Sequence, residues 1–173
     1  MEQGFAAVSH RAVAQRAGLP LAATTYYFTS LEDLLGGAVS DLTRSWLDAA
    51  RGVVDGLPER LDDPPAVARA VLRVVALVPG GDREADAGTL LSLYERYVES
   101  ARHETLRPLI ATYDDSIDGL LVEVLRRAGV DATRDAARLV LAVADGALLR
   151  ALAEGRPPGS AVEAVEHVIG LLP

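Results

Sequence analysis

A chain of 173 residues with a net charge of −8 and no cysteine can bury a sizeable core but excludes disulfide frameworks and cysteine-ligated metals. No apolar run reaches the roughly 18 to 20 residues of a membrane-spanning helix, and the acidic balance argues against coating nucleic acid non-specifically. Hydrophobic residues make up 50% of the chain, with no sustained alternation, so an all-α protein is expected. Met1-Glu2-Gln3-Gly4-Phe5 lacks the basic and apolar regions of a signal peptide, and a cytoplasmic location is expected with it.

Residues 9–35 are the most informative stretch. Ser9 stands as an N-cap, Val13, Ala14 and Ala17 form one apolar helical face, and Gly18 sits where a left-handed turn residue is needed. A second short helix is predicted from about Leu21 to Tyr27, ending in Tyr26-Tyr27-Phe28. Ser30-Leu31-Glu32-Asp33 has the spacing of a capping box that opens the next helix. Two short helices joined through a glycine are how a helix-turn-helix presents its second helix to the DNA major groove.

The run Val13-Ala14-x-x-Ala17-Gly18-Leu19, then Tyr26-Tyr27-Phe28-x-Ser30-x-Glu32-x-Leu34, resembles the TetR family of bacterial one-component repressors. The resemblance implies that Ser9 and Arg11 touch phosphates. It implies too that Ala22, Ala23, Thr24, Thr25, Tyr26 and Tyr27 face the groove, the threonines reading base edges. Phe28 is expected in the core. Several positions depart from the family: Thr24-Thr25 stand for a frequent Leu-Tyr, Tyr27 for a histidine, Leu31 for a lysine, and Pro20 for a hydroxyl N-cap. In the family a long first helix ends at the glycine found here as Gly4, and only Met1, Glu2 and Gln3 precede it. Residues 1–29 are therefore read as an incomplete three-helix DNA-binding part, and 30–173 as a helical ligand-binding and dimerisation domain.

Beyond Ser30 a long helix is predicted to about Val54, with Leu34, Leu35, Ala38, Leu42, Trp46, Leu47, Ala50 and Val54 at helical spacing. Asp63 with Pro64-Pro65 starts the next helix, which carries Val67 to Val78 and stops at Pro79-Gly80-Gly81, in a polar loop over 79–87. A helix from about Ala87 to Arg102 turns Leu90, Leu91, Tyr94, Tyr97, Val98 and Ala101 inward. Another runs from about Thr105 to Ala128, with Pro108 in its first turn, and Gly129 ends it. Asp131 or Thr133 caps the helix that reaches Ala153, and Ser160-Ala161-Val162-Glu163 has capping-box spacing for the last.

Trp46, Leu91, Tyr94, Tyr97, Tyr113 and Ile117 are the candidate lining of a small-molecule pocket, because large amphipathic side chains from different helices converge there. A hydrophobic or aromatic effector is expected, not a multiply charged one. Leu139 to Leu149 is apolar nearly all the way round, which requires burial on every side. As the family resemblance implies, the last two helices then build a homodimer interface through Leu139, Val143, Ala147, Arg150, Val165 and Ile169. His10, His103 and His167 have no metal-ligand spacing, and the Asp114-Asp115-Asp118 surface reads as a solvated acidic face. No phosphate loop, nucleotide fingerprint or nucleophile elbow is present, so neither cofactor, metal nor enzyme activity is expected.

The reading is a ligand-responsive repressor, dimeric, partnered by double-stranded operator DNA and a small effector, without membrane attachment. The alternative is a helical small-molecule-binding or interaction protein that no longer binds DNA.

Overall fold

The computed structural model describes residues 8–76 and 86–173. Expectations for Gly4-Phe5, for Val78 and for the loop at 79–85 lie outside them. Among the described residues the chain is all-α. Its helices are α1 (His10–Ala17), α2 (Leu21–Tyr27), α3 (Leu31–Asp55), α4 (Pro64–Val75), α5 (Ala87–Arg102), α6 (Arg107–Arg127), α7 (Arg134–Ala153) and α8 (Val162–Gly170).

The starts are set by side chains that satisfy the first free N–H groups, each worth about 1 kcal/mol. Ser9 Oγ accepts from the Ala12 N–H at 3.2 Å, Ser30 from Asp33 at 3.0 Å, and Asp63 from Ala66 at 3.1 Å. Thr133, not Asp131, caps α7 by accepting from Ala136 at 3.2 Å. Asp33 returns the capping contact one residue earlier than a standard box, accepting from the Thr29 N–H at 2.9 Å. Gly18 ends α1 at φ 67, where a side chain would be strained. The capping box expected at Ser160 does not form. A 3-10 turn over Pro158–Ala161 leads into α8 without a side-chain cap, because Pro157 and Pro158 already direct the chain into that turn.

α3 packs on α4 and α6, while α4, α7 and α8 close on one another. This places one main core around Trp46, Val71, Leu121, Val140 and Val165. A smaller cluster of Leu35, Val39, Leu106 and Ile110, flanked by Val8 and Tyr97, joins the N-terminal end of α3 to the start of α6. The other end of α3 is clamped. Arg127 Nη1 donates to the carbonyl oxygens of Val54 at 2.8 Å and Leu57 at 2.9 Å, while Nη2 donates to Glu123 at 2.6 Å. Those two carbonyls belong to the last turn of α3 and the chain just beyond it, where intrahelical partners run out, so α6 holds that end fast.

α7 is not buried on every side. Ala137, Val140, Ala144, Leu148 and Ala151 face the core, whereas Leu139, Ala142, Gly146, Leu149 and Ala153 form an exposed stripe of small and apolar residues. No helix among the described residues is long and apolar enough to cross a membrane.

Candidate effector cavity and DNA-reading head

The head is the pair α1 and α2, packed against each other. Thr24 is buried, and its hydroxyl lies 2.9 Å from the Leu21 carbonyl and 3.3 Å from that of His10. It therefore stitches the two helices together and does not face outward, contrary to the expectation that it reads bases. A threonine with two backbone acceptors inside a helix pair is better satisfied there than in solvent. Ala23 is half-buried, whereas Ser9, Arg11, Ala22 and Thr25 are exposed. Tyr26 and Tyr27, at 81% and 75% exposure, meet edge to face with centroids 5.1 Å apart. Thr24→Val keeps shape and loses the hydroxyl. It should cost the head about 1 kcal/mol, read as faster amide hydrogen exchange in α1 and α2 with the outward residues unchanged.

Phe28 leaves the head and rests on α3. A Cβ built at Gly37 would stand 2.8 Å from Phe28 Cε1, so the missing side chain at Gly37 is what seats the ring.

A cavity of about 580 Å³ opens between α5, α6 and α7, a size suited to a drug-like molecule. Tyr94 and Tyr97 line it from α5, Ala111, Asp114, Asp115 and Asp118 from α6, and Arg138, Leu141, Ala142 and Asp145 from α7. The lining thus carries four carboxylates against one guanidinium. The Tyr94 hydroxyl donates towards Asp145, whose carbonyl oxygen and Oδ1 lie at 3.1 and 3.2 Å. The Tyr97 hydroxyl donates to Asp114 Oδ1 at 2.7 Å. Arg138 spans Asp118 Oδ2 at 2.8 Å and Asp115 Oδ1 at 3.3 Å.

Burial pushes the Asp145 carboxyl up to about 6; the Tyr94 hydrogen bond and Arg96 pull it back, and Asp114 adds to the rise. Burial also raises Asp114, opposed chiefly by its hydrogen bond from Tyr97. Both tyrosine hydroxyls are driven up by burial and then by their aspartate partners, which keeps them neutral donors. Carboxylates held in this poorly compensated state are stabilised by an added positive charge.

Behind the Tyr97 wall lies Arg96, only 1% exposed. Its guanidinium carbon stands 4.5 Å from the Trp46 ring centre, 4.8 Å from Tyr97 and 4.0 Å from Tyr113. Burial raises the Tyr113 hydroxyl, and the nearby guanidinium pulls it back, yet no Arg96 nitrogen meets a partner in hydrogen-bonding geometry among the described residues.

The expected pocket is thus only partly the one observed. Tyr94 and Tyr97 form its wall, and Trp46 and Tyr113 sit one layer deeper with Arg96. Ile117 is buried in the main core and does not line the cavity. Leu91 points outward at 52% exposure, because the buried face of α5 is Leu90, Leu93, Arg96 and Ser100. Of the acidic face expected to be solvated, Asp115 is exposed, whereas Asp114 is half-buried and Asp118 is 2% exposed, and all three carry their charge at the cavity wall. Asp145 had a visible signal: a lone acid within an apolar run is costly to bury unless it has a role. Arg96 had a weaker one, falling in phase with Leu93 and Ser100.

Of the expected dimer residues, Leu139 and Arg150 are exposed, and Val143, Ala147 and Ile169 are half-buried. Val165 is fully buried within the main core and is out of a partner's reach. Ala142, Gly146 and Leu149 are exposed on the same open face of α7 as Leu139.

The family profile described as "Tetracyclin repressor-like, C-terminal domain" matches residues 62–172. The multidrug binding protein EbrR, solved with proflavin, is 30% identical, with a TM-score of 0.67 over 96% of this chain and 91% of that one. EbrR solved with ethidium is 32% identical, at a TM-score of 0.67 over 97% and 88%. The TetR family member SCO1917 from Streptomyces coelicolor A3 is 30% identical, at a TM-score of 0.68 over 99% and 90%. No curated protein matches the chain. Profile, identity and fold agree with the head and body just described: the chain belongs to the TetR family of transcriptional regulators, DNA-binding proteins without enzymatic activity.

Proposed function

We propose that this protein is a cytoplasmic, homodimeric repressor that leaves its operator when a planar aromatic cation enters the cavity between α5, α6 and α7. The observation that carries the reading is the cavity's composition: four aspartates, one arginine and two phenol rings. Rings accept a flat aromatic body, and partly buried carboxylates recognise positive charge. EbrR, similar in fold and sequence, was solved with the planar dyes proflavin and ethidium, which supports the same effector class here. The aromatic character expected of the effector is retained, and one positive charge is added to it.

Transmission runs through α3. This helix of 25 residues is about 37 Å long, held at its far end by Arg127 and carrying the head through Phe28 and Gly37. Effector binding beside Arg96 bears on Trp46, midway along the helix. A small displacement there swings the head and changes the distance between the two recognition helices of a dimer. The effector acts by its preference for one of these two geometries.

The test is a gel-shift titration with DNA from beside the protein's own gene. Salt-dependent specific binding should be lost on adding ethidium. Ethidium binding without any DNA binding would leave a helical small-molecule-binding protein in place of a regulator.

The dimer is proposed to form through the exposed stripe of α7 with α8. Gly146 and Ala142 permit close helix approach, and Leu139 and Leu149 supply apolar area. Leu149→Glu puts a charge into this seam and should weaken the dimer by at least about tenfold, seen in sedimentation as a monomer at concentrations where the parent is dimeric.

A further inference from the structure

We propose that the rings of Trp46, Tyr97 and Tyr113 are the subsite for the effector's planar, delocalised cation, and that the Arg96 guanidinium occupies this subsite until the effector displaces it. This inference rests on the reading of the protein as a cation-responsive regulator.

A guanidinium is itself a flat cation with spread charge and weak hydration, so it stacks on ring faces as a small aromatic cation does. Here it lies within 4.0 to 4.8 Å of three ring centres. The same group is almost wholly buried, and none of its three nitrogens completes a hydrogen bond of good geometry among the described residues, although the Tyr113 hydroxyl stands near enough to interact with it. Buried charges are ordinarily both paired and hydrogen-bonded. Arg96 is neither fully matched by hydrogen bonds nor replaced by an apolar residue. This fits an occupant held by the three rings and by the charge of Asp114 and Asp145, and ready to leave when another cation takes both.

Tyr97 belongs to both the box and the cavity wall, so one tyrosine ring separates the two. Arg96 also acts electrostatically on Asp114 and Asp145, the carboxylates that would attract an effector. A second cation drawn to those carboxylates is repelled by Arg96 and competes with it for the same charges and the same rings. Once displaced towards the open cavity, the guanidinium gains the hydrogen bonds to water that it lacks inside. The rings are never left empty, and Trp46 on α3 exchanges one cation for a larger one.

Arg96→Met keeps an unbranched stem and removes the resident cation. Ethidium should bind this variant at least tenfold more tightly than the parent, with stronger quenching of Trp46, the chain's one tryptophan. Equal or weaker binding by a folded variant would overturn the proposal. If Arg96→Met does not fold, the parent protein decides: with labelled arginine, saturation by ethidium should speed exchange of the Arg96 Nε–H with water at least a hundredfold. An unaltered exchange rate overturns displacement. Failure of ethidium to bind the parent at all would instead strike the functional reading, so the two failures are distinct.

Discussion

Asp145→Asn weakens the binding of a planar monocation such as proflavin or ethidium by ten- to a hundredfold, while a neutral planar analogue keeps its affinity. A charge-assisted contact in a partly buried site contributes about 1.5 to 3 kcal/mol, which sets that range. The carboxylate stands on α7 opposite the Tyr94 hydroxyl, with Asp114 and Arg96 acting on it from α6 and α5. Asparagine preserves the shape and the acceptor for Tyr94, so the change is one of charge. Isothermal titration with the two ligands checks it, and equal losses for both would show that the contact is steric.

The same residue gives a pH dependence whose sign is fixed. Its carboxyl rises from the ordinary value near 3.8 to about 6 on folding. The fold therefore prefers the protonated form, a contribution fully present below the unfolded value and lost as pH rises through about 6. At pH 8 the asparagine variant should be more stable than the parent, and this advantage should shrink as pH falls towards 4. Cation affinity of the parent should run the other way, decreasing by up to about tenfold per pH unit below 6, because the effector requires the ionised carboxylate.

The architecture was readable from local signals. Gly18, Ser9, Ser30, Asp63 and Thr133 mark turns or helix starts by their own chemistry, and the structure keeps all five. The head was legible as a motif, but the burial of Thr24 was not, since the reach of its hydroxyl to His10 depends on how α1 and α2 cross. In the cavity, Tyr94 and Tyr97 could be proposed as aromatic side chains at helical spacing. The phase of α5 could not be taken from apolar residues alone, because Arg96 occupies its core face while Leu91 and Val98 lie exposed. Ranking residues by hydrophobicity fails where a buried charge is held by rings. It fails likewise at Asp118, which looks solvated in sequence and is buried against Arg138.

Gly37→Leu should separate sensing from DNA binding. At this position the α3 backbone comes so close to Phe28 that even a Cβ would lie 2.8 Å from the ring. Alanine could be met by a small turn of the ring, together with the gain in helix propensity over glycine. Leucine cannot be accommodated that way, and overpacking at such a contact costs about 1 to 3 kcal/mol. The ring should be evicted, leaving α1 and α2 tethered through Thr29 and the cap at Ser30 with their apolar seat gone. Gly37 is on the exposed side of α3, opposite the buried side that carries Trp46 and the Leu35 and Val39 seat of Tyr97. Ethidium affinity should therefore stay within about twofold of the parent, as expected for sites without shared partners. Specific DNA binding should fall by at least about tenfold, and hydrogen exchange in α1 and α2 should accelerate while that of α6 stays unchanged. If DNA affinity survives with the ring displaced, Phe28 is not the joint through which α3 steers the head, and the cluster of Leu35, Val39, Leu106 and Ile110 must carry that coupling instead.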